Sequence, residues 1–333
     1  MIQTAGEVES LGVHLGPALH EACGDRLGEI EWFRSAWQRS GAATGRTWWR
    51  LPSGDVIPAI AKVPVGYLEW RWTTELGAAD PMRWDAPDEP LPPVPRVLAS
   101  GYELGGYDIA WLVVERVAGT TLRDALGHGS LTRLFKAVAM FHAMSTGIRP
   151  INGVGKRSQT NWAKLLTRAR ESCVDNAMED QKRWLRAIDA TCEALPVLTE
   201  LWDNRRIDTW CHGDVHPGNA MFRSIDGGET AGPCVLIDLG MIHAGHWVED
   251  ALYMERLHWG RPEMLCGIHP EAMLASTRRE YGLAVEPDDA VIADVRRILM
   301  GATSPAFLEQ EGSPAYLHAA LEHVEALLPR VAA

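Results

Sequence analysis

The chain has 333 residues, 46% of them hydrophobic and 23% charged, and a formal net charge of −12. That length carries one to three domains with a real core, and the acidity argues against a general nucleic-acid binder, which needs a basic face. No apolar run approaches the roughly 18 residues of a membrane span, residues 1–9 lack a secretory n-region, and six Cys without C-x-x-C pairs read as reduced thiols; a cytoplasmic protein is expected, with no membrane or nucleic-acid partner.

From about Glu7 to Cys23 apolar residues recur at helical spacing, and Gly24-Asp25 ends that helix. Glu29–Arg39 and Arg46–Leu51 read as strands joined by Ser40-Gly41-Ala42-Ala43-Thr44-Gly45. Small residues there let backbone amides approach an anion. After a turn at Pro52–Asp55 comes a third strand, Val56–Val63, so 29–63 is an antiparallel three-stranded unit. Lys62 lies near the end of that strand. Alone it would read as a snorkelling edge residue. Between a glycine-containing hairpin and a helix over Leu68–Ala79, it stands where a phosphate-gripping lysine belongs. Glu69 and Glu75 on that helix are both possible partners; spacing does not separate them, and Glu75 is preferred.

Residues 80–95 are proline-rich and form a loop. Arg96–Ser100 and Asp108–Val117 are strands, interrupted by Ala118-Gly119, and Thr120 is expected to cap a helix starting at Leu122. The boundary is put at 115–120, dividing the chain into 1–117 and 118–333; the backbone of such a hinge suits a flat purine. Helices follow over 131–145, 161–177 and 179–204, then 247–260, 270–281, 287–301 and 314–328. His142 reads as a hydrogen-bonded core residue. There is no internal repeat.

Between these helices lies Trp210–Phe222, which puts His212, Asp214, His216 and Asn219 within eight residues. About twenty residues on, the apolar strand Cys234–Ile237 ends in Asp238. Asp214, Asn219 and Asp238 form a phosphoryl-transfer set: one accepts the proton of an attacking hydroxyl, and two oxygen ligands hold Mg²⁺ against nucleotide phosphates. A competing reading takes Cys211, His212, Asp214, His216, His243 and His246 as the zinc or iron ligands of a hydrolase. The lysine-bearing hairpin upstream has no use in such an enzyme, and amide and carboxylate oxygens suit a hard ion.

In this order the motifs resemble the aminoglycoside phosphotransferase family, a branch of the protein-kinase-like fold that also holds choline and ethanolamine kinases. The resemblance rests on His212-Gly-Asp-Val-His-Pro-Gly-Asn219, Ile237-Asp-Leu-Gly240, Gly245-His-Trp-Val-Glu-Asp-Ala251 and Val113–Gly119, across roughly residues 28–255. It implies an α+β fold, with a small antiparallel β-sheet lobe before a larger, mainly helical lobe. It implies that Asp214 is catalytic, that Asn219 and Asp238 hold Mg²⁺, and that Lys62, with Glu75 as its helix partner, grips the α- and β-phosphates of ATP. It implies that Ser40 and Gly41 belong to the loop over the phosphates and that the backbone from Glu115 to Val117 holds adenine. Asp250 would brace the catalytic loop, with His212 and His216 packing around it. The loop at 40–45 departs from G-x-G-x-x-G, and the 80–95 insertion delays the fourth strand.

The expected reaction moves the γ-phosphoryl of ATP, or of GTP, to a hydroxyl of a small molecule. An aminoglycoside-type antibiotic is the first acceptor class, which an acidic cleft would attract as a cation. A metabolic kinase for choline, ethanolamine, a sugar or an amino acid derivative is the alternative. A non-catalytic nucleotide-binding protein is a third, although Lys62, Asp214 and Asn219 are all present. The acceptor pocket is expected from 150–205 and 247–333, with Glu249, Glu255, Glu263, Trp247 and Trp259 as candidate contacts to a cation.

Overall fold

The computed structural model describes residues 5–33, 42–77, 91–117, 121–151, 160–223 and 232–332. In chain order the elements begin with α1 Ala5–Cys23, β1 Glu31–Phe33, β2 Ala43–Arg50, β3 Val56–Val63, α2 Tyr67–Gly77, β4 Val97–Gly101 and β5 Trp111–Glu115. Then come α3 His128–Ile148, α4 Trp162–Asp175, α5 Gln181–Asp203, β6 Thr209–Cys211, β7 Ala220–Phe222, β8 Cys234–Leu236 and β9 His243–Gly245. The chain closes with α6 Val248–Arg256, α7 Pro270–Glu280, α8 Asp289–Thr303, α9 Leu308–Glu311 and α10 Pro314–Val331. None of the described helices is long and apolar enough to cross a membrane.

The elements pack as two compact units, Met1–Ala125 with Pro217–Ile242, and Leu126–His216 with His243–Ala333. A single cut after Val117 would assign Pro217–Ile242 to the helical part; in the structure these residues pack with the sheet.

In the first unit the sheet runs β1-β2-β3-β5-β4, antiparallel throughout. Strand alternation sends Trp49, Ala59, Ala61, Val63 and Val113 to one face, where Leu15, Leu19 and Cys23 of α1 cover them. Lys62 therefore lies on the opposite face. Ala43, Thr44 and Gly45, expected in the phosphate loop, are instead ladder residues opposite Val63, Lys62 and Ala61. The reason is close packing: a Cβ on Gly45 would fall 2.3 Å from Ile30 Cγ2. The β7–β8 hairpin joins this unit through Leu122 N–H to Ala220 C=O at 3.0 Å and Leu236 N–H to Pro93 C=O at 2.7 Å. The buried Arg223 guanidinium pairs with the Glu115 carboxylate.

No helix starts at Leu122. Residues 121–125 form turns in which the Thr121 hydroxyl donates to Asp124, and α3 begins at His128, after Gly127. Thr120, the expected cap, lies outside the described residues. In the second unit α3 buries Leu131, Leu134, Phe135, Val138, Phe141 and His142 along one stripe. Asn161 caps α4 by accepting from the Lys164 amide at 2.9 Å. Trp184, Trp202 and Trp247 are each almost fully buried, so most of this unit's tryptophan serves the core.

Candidate active site

The first unit carries one group of the candidate side chains. Lys62 Nζ lies 2.5 Å from Glu69 Oε1, with side-chain exposures of 21% and 13%. The preference for Glu75 is thereby corrected. Glu69 is in the first turn of α2, directly after the connection from β3; Glu75 is about 9 Å further along the axis and pairs with Arg71 at 3.2 Å.

Asn219 and Asp238 are brought together by the β7–β8 register. Ala220 stands opposite Leu236, and the next rung is closed by Ile237 N–H donating to Asn219 C=O at 2.9 Å. Residues far apart in sequence thus end on neighbouring rungs. Asn219 is buried. Asp238 is exposed and left-handed, at φ 63° and ψ 67°, a conformation that Asp tolerates better than most residues. It turns the chain into the helical turn Leu239–Met241, beside which α2 packs.

At the end of β5, Arg116 N–H donates to Pro58 C=O of β3 at 2.9 Å, and Glu115 N–H donates to Arg96 C=O at 2.9 Å. By ladder alternation the Glu115 carbonyl and the Val117 amide therefore face away from β3. The Glu115 side chain accepts from the Arg96 amide at 3.0 Å and pairs with Arg223, so it ties the end of β5 to neighbouring segments rather than offering a free carboxylate. Ser40 and Gly41 lie outside the described residues.

The second unit carries Asp214. Strand β6 pairs with β9 and delivers the loop 212–216. Asp250 of α6, fully buried, accepts from the His212 amide at 2.8 Å and the Gly213 amide at 2.8 Å. Gly213 has φ +82°, which a side chain would oppose. His142 Nε2 lies 2.9 Å from the same carboxylate. Burial works to raise the Asp250 carboxyl, but the hydrogen bonds from His142 and the Gly213 amide, with the nearby His142 and His212 rings, bring it below its ordinary range. The loop before Asp214 is thus tied to α6 by a carboxylate that stays charged. The Asp214 amide donates to His212 Nδ1 at 3.3 Å, and its carboxylate lies 3.7 Å from His216 Nε2.

The residues of the competing metal reading have other partners. The Cys211 thiol donates to His246 C=O at 3.3 Å, and burial pushes its pKa well above the ordinary value. His246 Nε2 lies 3.1 Å from Asp289, which also accepts from the Trp247 indole at 2.9 Å. Among the described residues no three His, Cys, Asp or Glu converge to hold a metal ion. Trp247 and Glu249 are internal: the Glu249 carboxylate takes the His246 amide at 2.9 Å and Arg205 at 3.2 Å. Burial opposes its charge, yet its partners His243 and Arg205 hold its pKa at about 2. Glu255 and Trp259 do line a cavity of about 590 Å³ in this unit. Arg278 and Arg297 were not legible as site residues from spacing.

The chain belongs to the phosphotransferase enzyme family, whose model matches residues 38–286. That span contains Lys62, Asp214, Asn219 and Asp238. No curated protein matches it by sequence. Among solved structures it is similar to a protein of Ralstonia eutropha JMP134 assigned as an aminoglycoside phosphotransferase, at 14% identity and TM-score 0.53, over 97% of this chain and 98% of that one. It is also similar to an aminoglycoside phosphotransferase from Alicyclobacillus acidocaldarius, at 14% identity and TM-score 0.52, over 93% of each chain. The likeness is one of fold: a five-stranded antiparallel sheet and a mainly helical unit in the α+β, protein-kinase-like class.

Proposed function

We propose that this protein transfers the γ-phosphoryl group of ATP to a hydroxyl of a small cationic molecule, the class that includes aminoglycosides. The observation that carries the reading is that one unit holds the Lys62–Glu69 pair, the hinge edge and the Asn219–Asp238 rungs. That set matches the needs of a magnesium nucleotide. The donors at 219 and 238 are an amide and a carboxylate oxygen, which suit a hard ion that keeps its waters. When bound, Mg²⁺ neutralises charge on the β- and γ-phosphate oxygens.

The chain's own residues do the remaining work. Glu69 orients the Lys62 ammonium toward the α- and β-phosphates. The Glu115 carbonyl and Val117 amide present an acceptor and a donor to a purine edge, which favours adenine. Asp214, held by its braced backbone, accepts a hydrogen bond from the acceptor hydroxyl and takes its proton as transfer completes. A carboxylate is a weak base, but the loose transition state releases that proton late, so position outweighs basicity. None of the six cysteines forms a disulfide, which supports a reducing compartment such as the cytoplasm.

The test is ADP release across a panel of aminoglycosides and other amino alcohols. Asp214→Ala and Asp238→Ala should each abolish Mg²⁺-dependent turnover while leaving the unfolding transition intact. Near-normal turnover by Asp214→Ala overturns the reading.

A further inference from the structure

Pro92, Pro93 and Pro95 have no N–H, so Val94 has the single backbone donor of the stretch 92–95. Pro93, Val94 and Pro95 are nevertheless buried in the first unit. Buried carbonyls ordinarily have a donor, and here the β7–β8 hairpin supplies it. The Leu236 amide takes the Pro93 carbonyl at 2.7 Å. Arg223, the residue after β7, takes the Pro92 carbonyl with Nη1 at 3.3 Å and the Val94 carbonyl with Nη2 at 3.4 Å. The same Nη2 bonds the Glu115 carboxylate. A guanidinium only donates, and from a rigid fork, so one buried side chain meets acceptors on two other segments.

These bonds close a triangle. Arg96 follows the proline stretch. Its N–H donates to the Glu115 carboxylate at 3.0 Å, and its C=O accepts from the Glu115 N–H at 2.9 Å. The hairpin, the segment 92–96 and the end of β5 are thereby fixed to one another. The Arg223 backbone is itself held in the hairpin, its N–H donating to Pro233 C=O at 2.9 Å, and the same hairpin brings Asn219 and Asp238 together. The Lys62 end of the sheet has a separate link to these rungs: α2, which carries Glu69, packs beside Leu239–Met241. Glu115 stands opposite Ala59 and Leu112 opposite Lys62, so the two ends lie about 10 Å apart along β3. Arg223 serves one end and α2 the other.

We propose that Arg223 is a positioning residue for the nucleotide base. Through Glu115 and the carbonyls of Pro92 and Val94, it sets the Glu115 carbonyl and Val117 amide at the distance from Asn219 and Asp238 that a purine nucleoside triphosphate spans. The assignment rests on the nucleotide reading above and adds a residue that acts on the base only through others. A purely structural role would weaken every ligand of the unit alike; this role separates the base from the phosphates.

Calorimetry with Mg²⁺ on the full chain tests it by comparing ATP with tripolyphosphate, which has phosphates and no base. The unaltered protein should bind ATP at least about tenfold more tightly than tripolyphosphate. Arg223→Met removes the fork and should cut ATP affinity by about tenfold, with tripolyphosphate affinity within about twofold of its original value. Arg223→Lys keeps a charge beside Glu115 but cannot also reach both carbonyls. It should lose about threefold for ATP alone, and it decides the matter if Arg223→Met does not fold. Unchanged ATP affinity in Arg223→Lys, or equal losses for the two ligands, overturns the positioning role and leaves the nucleotide reading standing. Equal affinity of the unaltered protein for ATP and tripolyphosphate removes the base contact and the proposal with it. Binding of neither ligand removes the nucleotide reading itself.

Discussion

Arg278 Nη1 lies 2.9 Å from His142 Nδ1. A guanidinium only donates, so that ring nitrogen is unprotonated, and the proton sits on Nε2, where it bonds Asp250. His142 is therefore neutral. The bonds run one way, from Arg278 through His142 to Asp250, which holds the amides of His212 and Gly213. Burial lowers the His142 pKa and the Arg278 charge lowers it further, against the pull of Asp250. Arg278→Met should raise the His142 pKa in a histidine NMR titration, because one opposing cation is gone. No upward movement would show that the guanidinium does not set the tautomer.

Asp250→Asn keeps the shape but presents an NH₂ where one of its donors needs an acceptor. A buried charged hydrogen bond broken in this way costs about 3 kcal/mol, read as a shift in the urea midpoint at constant m. Turnover should fall with it, since Gly213 precedes Asp214, while the nucleotide KM changes little.

Acid should destabilise the protein in two stages. Burial lowers the pKa of His142, His246, His258 and His323. The unfolded chain then takes up protons that the folded chain refuses, so stability is full above the unfolded pKa and falls as pH drops below about 6.5. The slope is up to about 1.4 kcal/mol per pH unit for each histidine. A second loss follows below about pH 4, where Glu249, Asp250, Glu255 and Asp289, all held below their ordinary range, are protonated first in the unfolded chain. Urea titrations from about pH 2 to pH 8 measure both; a flat profile from about pH 7 to 5 would contradict the histidine assignment.

Lys62 separates two carboxylates that spacing left open. Glu69→Gln should cut kcat/KM for nucleotide by about tenfold or more, a loss of about 1.4 kcal/mol of transition-state binding. Glu75→Gln should stay within about twofold, because its partner is Arg71. Lys62→Ala should raise the nucleotide KM. The reverse ranking of the two glutamates would return the role to Glu75.

Arg297 pairs with Glu255, Glu271 and Asp294 at once. Arg297→Met would leave carboxylates facing one another with little solvent, at a cost of about 3–5 kcal/mol. Thermal unfolding at pH 7.5 checks this, and added salt should recover only part of the loss, because buried charges are poorly screened.

Much of the fold was readable because its signals are local. The strands β2 and β3, the helix α2 after them and the stripe on α3 all follow from period and turn residues. Lys62 stood out because of where it falls between a hairpin and a helix. Its partner did not, because the choice between Glu69 and Glu75 depends on how Val63–Gly66 leads the chain into α2. Ala43–Gly45 looked like a loop because small residues serve both an anion loop and a strand packed hard on Ile30. Arg278 and Arg297 carry no motif; each matters only through partners far along the chain. The helix expected from Leu122 is absent because Thr121–Ala125 satisfies its backbone by turns and by the β7 contact at Ala220.

Pro217–Ile242 packs with the sheet although nearly a hundred residues separate it from Ala125. On the ribosome the five strands are all made once Glu115 has emerged, yet the unit they belong to cannot finish. Arg223 has still to reach Glu115, and Leu236 has still to reach Pro93. Until Arg223 has been synthesised, the Glu115 carboxylate lacks that buried guanidinium partner. A chain truncated at Ala125 therefore lacks more than the helical unit: it is an unfinished sheet unit, and a fragment that keeps this unit whole has to be built by joining two separate stretches of sequence.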